Sequence, residues 1–376
     1  MKLKPKITIT DHFDSIEDPR IERTKLHDLI DIMTISICAV ICGADTWVEI
    51  EEYGKSKKKW LGTFLKLDNG IPSHDTFARV FARINPEEFQ SSFISWIKSI
   101  SNLTEGEVVA IDGKTLRHSY DKSKDKAAIH MISAWATNVR LVLGQRKVDN
   151  KSNEIIAIPE LIKLLSLKGC IVSIDAMGCQ KSIVQQIVEQ EADYIIALKK
   201  NQKNLYNRVE TLFKDAIISN FQGYQHTEHR LFDDSHGRKV TRYYSVLNNV
   251  GYLLDLKNEW KNLYSIGKVD TLRIADGKTK LESRYYIMST DSNAESFSNA
   301  VRSHWQIENC LHWILDVQFH EDDSRIRKDN APANFTVLRH IAHSLLTQEK
   351  SLKVGVNNKR KKAGWDNEYL LKVLTS

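Results

Sequence analysis

The middle of the chain alternates short apolar runs with helical segments, and no other feature restricts the fold as strongly. Three apolar runs come first, at 107–111, 127–135 and 139–148, and a fourth follows a helix at 170–174. A second helix then leads to a fifth run at 194–198. Short apolar runs bounded by turns are typical of buried strands. Strands that alternate with helices predict an α/β fold, in which helices pack on a sheet.

The regions on either side predict different structures. Apolar residues recur at helical spacing over 1–104, so we expect an all-helical N-terminal domain there. β-rich stretches separated by turns predict an insertion at about 204–290, within a main domain of 105–350. From Lys350 onward there are seven Lys or Arg and two acidic residues, which predicts a basic C-terminal tail over 351–376.

One pattern in the N-terminal domain has two interpretations. A helix from about Trp47 is followed by a lysine cluster, a turn and a short helix that carries His74, Arg79 and Arg83. One interpretation is a helix-turn-helix unit that binds DNA. The other is an ordinary helical bundle with a solvated lysine face, and composition alone favours the bundle.

Composition sets broad limits. A length of 376 residues predicts more than one domain, and a net charge of +6 is a mild indication of a polyanionic partner. The five cysteines form no Cys-x-x-Cys pair, which favours a reducing cytoplasm over a disulfide framework. The longest apolar run, 32–42, is too short to span a bilayer, and no signal-peptide pattern is visible, so we expect no membrane association.

Two aspartates follow directly after apolar runs, Asp112 after 107–111 and Asp175 after 170–174. In open α/β sheets ligands bind beyond the carboxyl ends of the strands, so neighbouring strands would bring both carboxylates into one crevice. Each residue alone has a simpler interpretation, because Asp-Gly is a common turn and Asp often caps a following helix.

A third carboxylate, Glu308, lies on a predicted helix that begins near Ala294. His304, Glu308 and His312 are four residues apart and share one helix face beside an apolar stripe. Considered alone, Glu308 is most simply a carboxylate at the edge of the core. The two histidines are about 12 Å apart along the helix axis, too far for one zinc ion, so a zinc hydrolase is not predicted.

Together the three carboxylates form an all-oxygen set of ligands. Such a set suits Mg²⁺ or Mn²⁺, and two such ions about 4 Å apart stabilise the attacking and leaving oxygens of a phosphoryl transfer. Carboxylates this close repel one another, so we expect the site to be destabilising without metal.

Six segments, in order along nearly the whole chain, resemble the DDE-type transposases of bacterial insertion sequences, in the group that includes the H-repeat-associated proteins. The segments are 71–77 (IPSHDTF), 110–117 (AIDGKTLR), 173–180 (SIDAMGCQ), 197–202 (ALKKNQ), 236–238 (HGR), and 304–313 (HWQIENCLHW) running on to 321–322 (ED).

The resemblance implies a ribonuclease-H-like catalytic core with a β-rich insertion between Asp175 and Glu308. It maps Asp112, Asp175 and Glu308 onto the family's metal-binding catalytic triad, with two Mg²⁺ or Mn²⁺ ions as cofactors. The implied chemistry is nicking at the element ends, followed by attack of the freed 3′-hydroxyl on target DNA. The implied partner is double-stranded DNA, bound by a homodimer, and the implied location is the nucleoid in the cytoplasm.

The chain departs from better-studied relatives near Glu308. Those relatives carry Tyr, Arg and Lys at seven before, four before and seven after this glutamate, where this chain has Val301, His304 and Leu315. His304 is therefore a candidate replacement for the Arg as a phosphate contact. Because the Lys is missing, the resemblance does not predict excision through a DNA hairpin.

Basic and aromatic residues beside the matching segments are candidate DNA contacts. They are Lys114, Arg117, Lys199, Lys200, Arg238, His304, Trp305 and Arg325. Basic side chains would hold phosphates and Trp305 would stack on a base; the alternatives are solvated surface charges and a Trp in the core. Two further functions stay open, a transposase-derived protein that binds DNA without cutting it and a host nuclease of the same fold.

Overall fold

The computed structural model describes residues 11–120, 127–148, 154–235, 238–250, 259–275 and 278–375, apart from the side chains of Thr24, Ser235, Arg238 and Ala275. Helices α1 to α12 are Leu29–Ile41, Trp47–Leu61, His74–Arg83, Pro86–Ile100, Glu154–Leu164, Lys181–Glu189, Lys203–Ile218, Ala294–His304, Trp313–Gln318, Ala331–Gln348, Val356–Trp365 and Asn367–Leu374. Strands β1 to β9 are Val108–Thr115, His130–Ala136, Leu141–Val148, Ile171–Ile174, Asp193–Leu198, Gln225–Ser235, Arg238–Asn248, Ser265–Ala275 and Lys278–Met288. Among the helices in these ranges, none combines the length and apolar character needed to cross a bilayer.

One mixed sheet, in the order β3-β2-β1-β4-β5-β9-β8-β7-β6, forms the centre of the molecule. β1, β4 and β5 are parallel neighbours, while β2 runs antiparallel to both β1 and β3. Helices from both ends of the chain pack against this sheet. The predicted α/β fold is therefore confirmed, and so is the helical character of the N-terminal region.

The region predicted as a β-rich insertion continues the central sheet. β9 pairs antiparallel with β5, from Ile195 opposite Met288 to Leu198 opposite Tyr285, and β8, β7 and β6 follow in order. Helix α7 packs on this meander where the rings of Phe213 and Tyr285 are 5.9 Å apart. β5, the strand next to β4 in the sheet, therefore joins the meander β9-β8-β7-β6 to the rest of the sheet.

Helix α10 is buried on every side from Ala331 to Leu346. It packs against α1, α3 and α4 and also against β3. Asn334 donates hydrogen bonds to the carbonyls of Phe81 and Ile84 at the end of α3. One hydrophobic cluster therefore runs from the N-terminal helices through α10 to the sheet. This cluster includes residues on both sides of residue 104, and the domain boundary at that residue stays a prediction.

Helices α2 and α3 are the pair considered as a helix-turn-helix unit. His74 begins α3, and both its backbone N–H and its Nδ1 lie within hydrogen-bond distance of Glu51 Oε2 on α2, at 2.7 and 2.6 Å. Phe77 is fully buried, whereas Arg79 and Arg83 are exposed. His74 is thus used to join the two helices, and DNA binding by the exposed arginines stays a prediction.

The region predicted as a basic tail is folded into α11 and α12. Lys359 donates a hydrogen bond to the carbonyl of Leu346 (2.9 Å) near the end of α10, and Arg360 donates to that of Val40 (3.0 Å) near the end of α1. Carbonyls in the last turn of a helix lack intrahelical partners, and basic side chains satisfy them. Both side chains are buried, so part of the basic excess has a structural role.

Gly267 of β8 allows helix α8 to approach the sheet closely. A Cβ atom at this position would lie 2.4–2.8 Å from three ring atoms of Phe297 on α8. We expect Gly267→Ala to displace the ring and lower the free energy of unfolding by about 1–3 kcal/mol, measured by urea denaturation. The control is Gly364→Ala on α11, whose new Cβ would have its nearest neighbour at 3.5 Å and which should not lower the free energy of unfolding, because Ala is favoured over Gly in a helix. Equal losses in the two variants would contradict the packing argument.

Candidate active site

Strands β1 and β4 bring Asp112 and Asp175 to the same edge of the sheet. They pair in parallel up to Ile111 opposite Ile174, and each aspartate is the next residue. β4 ends there, but β1 continues to Thr115 because β2 stays paired with it over that length. The Asp-Gly turn suggested by the sequence at 112–113 is therefore corrected to a continuous strand.

Asp175 also caps the short 3-10 helix that follows it, Ala176–Gly178. Its Oδ1 accepts hydrogen bonds from the backbone N–H groups of Met177 (2.9 Å) and Gly178 (3.4 Å). The residue also lines the same cleft as Asp112 and Glu308. Asp175 therefore both caps the 3-10 helix and lines the cleft, so its two interpretations from the sequence are compatible.

Glu308 lies on a π-helical turn, whereas the sequence predicted one continuous α-helix. Helix α8 ends at His304, and the π-helical turn covers Ile307–His312 before α9 begins. Ile307 and Leu311 are fully buried and hold the turn in the core, while 55% of the Glu308 side chain is exposed. Such turns widen the helix locally and occur frequently at functional sites.

His312 completes a group with Asp112 and Glu308. One ligand atom from each of the three residues lies within 4.8 Å of the other two. His312 Nδ1 is 3.7 Å from Asp112 Oδ2 and 3.9 Å from Glu308 Oε2. His312 is not among the predicted site residues, although its spacing of four from Glu308 was an available signal. His304 is outside the group, in agreement with the expectation that the two histidines do not share one ion.

The surroundings give the two carboxylates of this group different acidities. The pKa of Asp112 is raised to about 6, mainly by burial; His312 opposes the shift, and the charges of Glu308 and Asp175 add to it. Interaction with His312 lowers the pKa of Glu308. Both carboxylates are therefore ionised at pH 7.5, and their shared negative charge favours a bound cation.

The carboxylates open into a cleft of about 550 Å³ with basic and aromatic residues on its walls. Lys199 and Lys200 follow β5 and are exposed. Arg284 of β9 lies over the ring of Trp305, with 5.6 Å between the guanidinium carbon and the ring centroid. Cations and aromatic rings beside a groove suit a nucleic-acid strand. Arg284 is a cleft residue that the sequence motifs did not indicate.

Lys114 lies in a network of charges and is not among the residues that line the cleft. Its Nζ lies 2.7 Å from Glu321 Oε2 and also donates to Asp316, and the Lys114 side chain is 12% exposed. Burial raises the pKa of Glu321, but the charges of Lys114 and Arg339 outweigh it and hold the pKa at about 2. These carboxylates occupy the ammonium group, and contact between Lys114 and a phosphate stays a prediction.

The remaining predicted DNA contacts fall into three groups. Arg117 is exposed and pairs with Asp322 at 3.2 Å, and Arg325 is exposed. His304 lines the cleft, but burial lowers its pKa, so at pH 7 it is a neutral ring that offers no charge to a phosphate. The side chain of Arg238 lies outside the described residues.

Comparison with known proteins agrees with this arrangement. Residues 103–345 match the family described as "Transposase DDE domain", and residues 10–97 match "DDE_Tnp_1-associated". Two relatives from Escherichia coli are the "H repeat-associated putative transposase YhhI" of strain K12, 44% identical over 97% of both chains, and the "Putative transposase YncI" of O157:H7, 43% identical over 98% of this chain and 95% of that one. The chain therefore belongs to the DDE transposase family, in the group of the H-repeat-associated proteins.

A solved structure also aligns with the chain, with a low score. It is the piggyBac transposase in a synaptic complex with hairpin DNA, which is 10% identical, has a TM-score of 0.43, and is aligned over 99% of this chain and 80% of that one. The family implies the use of divalent metal ions, and the group of Asp112, Glu308 and His312 offers oxygen and nitrogen ligands that fit such an ion.

Asp112→Asn should stabilise the metal-free protein at neutral pH. The pKa of Asp112 is raised from 3.8 to about 6 on folding, so its ionised carboxylate destabilises the fold above pH 6, and this penalty fades as the pH falls toward 4. We expect the variant to gain up to about 3 kcal/mol of unfolding free energy at pH 7.5 with a chelator present, and less at pH 4.5. Asp291→Asn, at an exposed carboxylate, is the control. A loss of stability in Asp112→Asn at pH 7.5 would contradict the burial argument.

Proposed function

We propose that this protein is the transposase of an insertion sequence, which cuts and joins DNA by metal-dependent phosphoryl transfer. The observation that carries the proposal is the position of Asp112 and Asp175, one residue beyond the last paired residues of two parallel strands, in one cleft with Glu308. Three carboxylates from three separate elements meet there, although their mutual repulsion opposes folding.

The catalytic core of this enzyme is ribonuclease-H-like. The arrangement that supports this part of the proposal is β3-β2-β1-β4-β5, in which β2 alone runs antiparallel to the other four strands. The meander β6–β9 then lies between Asp175 and Glu308 in the chain, as the family resemblance implies for the β-rich insertion.

The residues of the cleft have separate tasks in this reaction. Asp112, Asp175 and Glu308 would hold the ions, which when bound stabilise the attacking and leaving oxygens of an in-line displacement. Lys199 and Lys200 would position phosphates without reading base sequence. Strand transfer must bring two element ends together, so we also propose that a homodimer acts on double-stranded DNA.

The direct test uses purified full-length protein and DNA that carries the sequences flanking its own gene. In Mg²⁺ or Mn²⁺, wild-type protein should nick the element ends and join them to a second DNA. Asp112→Asn, Asp175→Asn and Glu308→Gln should each lower the nicking rate by at least about 100-fold, because each removes a charged ligand. Glu189→Gln, at an exposed carboxylate on α6, should nick at the wild-type rate.

Two results would count against the enzymatic proposal. Nicking by wild type no faster than by Asp112→Asn and Glu308→Gln would show that the carboxylates do not catalyse it. Specific binding of the ends without any nicking would instead favour the transposase-derived DNA-binding protein.

The lysines of the cleft allow a separate test of DNA binding. The double variant Lys199→Ala/Lys200→Ala should bind duplex DNA more weakly for all sequences, and the slope of log affinity against log salt should fall by about 2. The control is Lys168→Ala, because this exposed lysine precedes β4 at the opposite end of the strand from Asp175. Equal weakening by Lys168→Ala would place the DNA elsewhere.

A further inference from the structure

We propose that His312 is a nitrogen ligand for one of the divalent ions, together with Asp112 and Glu308. One ion of the site would then have both nitrogen and oxygen ligands. This set of ligands would bind Mn²⁺ more tightly than Mg²⁺. This inference rests on the proposed function, because it concerns an ion of the same cleft. It adds a residue to the set of three carboxylates and assigns a metal preference to the site.

His312 Nδ1 lies at a distance from both carboxylates that suits a shared ion. His312 Nδ1 lies 3.7 Å from Asp112 Oδ2 and 3.9 Å from Glu308 Oε2, beyond the range of a hydrogen bond. Two ligands that each lie about 2.1 Å from one ion are separated by at most about 4.2 Å. The nitrogen is therefore too far from either oxygen to bond it directly, and near enough to both to share a cation.

The imidazole ring of His312 is also buried and fixed in position. The His312 side chain is only 7% exposed, and its Nε2 has no hydrogen-bond partner among the described residues. Packing in the π-helical turn, with Leu311 fully buried beside it, holds the ring so that Nδ1 faces the two carboxylates. A buried polar ring is costly unless its nitrogens meet partners, and a cation shared with the two carboxylates would be such a partner for Nδ1.

The position of Asp175 shows why the two ions would differ. Its Oδ1 is already held by the N–H groups of Met177 and Gly178, and Asp175 is not part of the group that includes His312. Asp112 lies between the two sides of the site, next to Asp175 on the sheet edge and opposite His312. The ion on the Asp175 side therefore has oxygen ligands, and the ion on the His312 side has a nitrogen ligand as well.

The nitrogen ligand sets the metal preference. Mg²⁺ is bound by oxygen ligands and keeps several waters, whereas imidazole favours first-row transition metals. A site with one imidazole and two carboxylates therefore binds Mn²⁺ more tightly than Mg²⁺. Replacing the imidazole by an amide oxygen at the same place should remove most of that difference.

The test is electron paramagnetic resonance of Mn²⁺ bound to the full-length protein without DNA. Wild-type protein should show electron-spin-echo modulation from a directly coordinated ¹⁴N nucleus, and His312→Asn should lose it, because the Asn amide oxygen lies near the position of Nδ1. Competition with Mg²⁺ should show at least about tenfold preference for Mn²⁺ in wild type and less than about threefold in His312→Asn. His304→Asn is the matched control, since this histidine lines the cleft outside the group, and it should keep the ¹⁴N signal.

The outcomes separate this inference from the proposed function. Absence of the ¹⁴N signal in wild type, or its loss in His304→Asn with retention in His312→Asn, would overturn the role of His312. In that case nicking that is lost in Asp112→Asn would leave the proposed function standing. Conversely, a ¹⁴N signal that depends on His312 in a protein that nicks no DNA would support the metal ligand and contradict the transposase reaction. Circular dichroism of each variant checks that it is folded.

Discussion

A set of charges with little exposure, Lys114, Glu321 and Arg339, joins three parts of the molecule around the cleft. Lys114 lies on β1 two residues after Asp112, Glu321 follows α9, and Arg339 lies on α10. Buried ions lose hydration and are tolerated only when they are paired, so removing one leaves the others uncompensated. The network therefore holds β1 against the segment that follows Glu308 and His312, and connects both to the buried helix α10.

That helix, α10, explains how the terminal regions contribute to the site. It packs against three N-terminal helices and β3, so the helical region and the sheet share one core. At the ends of α10 and α1, Lys359 and Arg360 from the C-terminal helices satisfy backbone carbonyls. The support for the sheet that carries the cleft thus comes from both ends of the chain.

Asp112 and Lys114 lie two residues apart on β1 and point to the same face of the sheet. Their surroundings nevertheless differ: the Lys114 charge is compensated by carboxylates, whereas Asp112 faces other carboxylates and has a raised pKa. Opposite charges are paired at Lys114, whereas like charges are gathered at Asp112 and oppose folding.

The sequence by itself determined the strand and helix alternation and the position of Asp112 and Asp175 directly after apolar runs, because apolar runs and their ends are local properties of the chain. It also contained the motifs of the family. The tertiary structure decided that the two strands are neighbours and that both aspartates lie at one edge. Only the tertiary structure decided that β1 continues past Asp112, that a π-helical turn carries Glu308, and that Lys114 pairs with Glu321. The tertiary structure also brought His312 together with Asp112, a pair far apart in the chain. Each of these depends on which partners meet a side chain across the fold, and neither spacing nor composition records contacts between residues far apart in the chain.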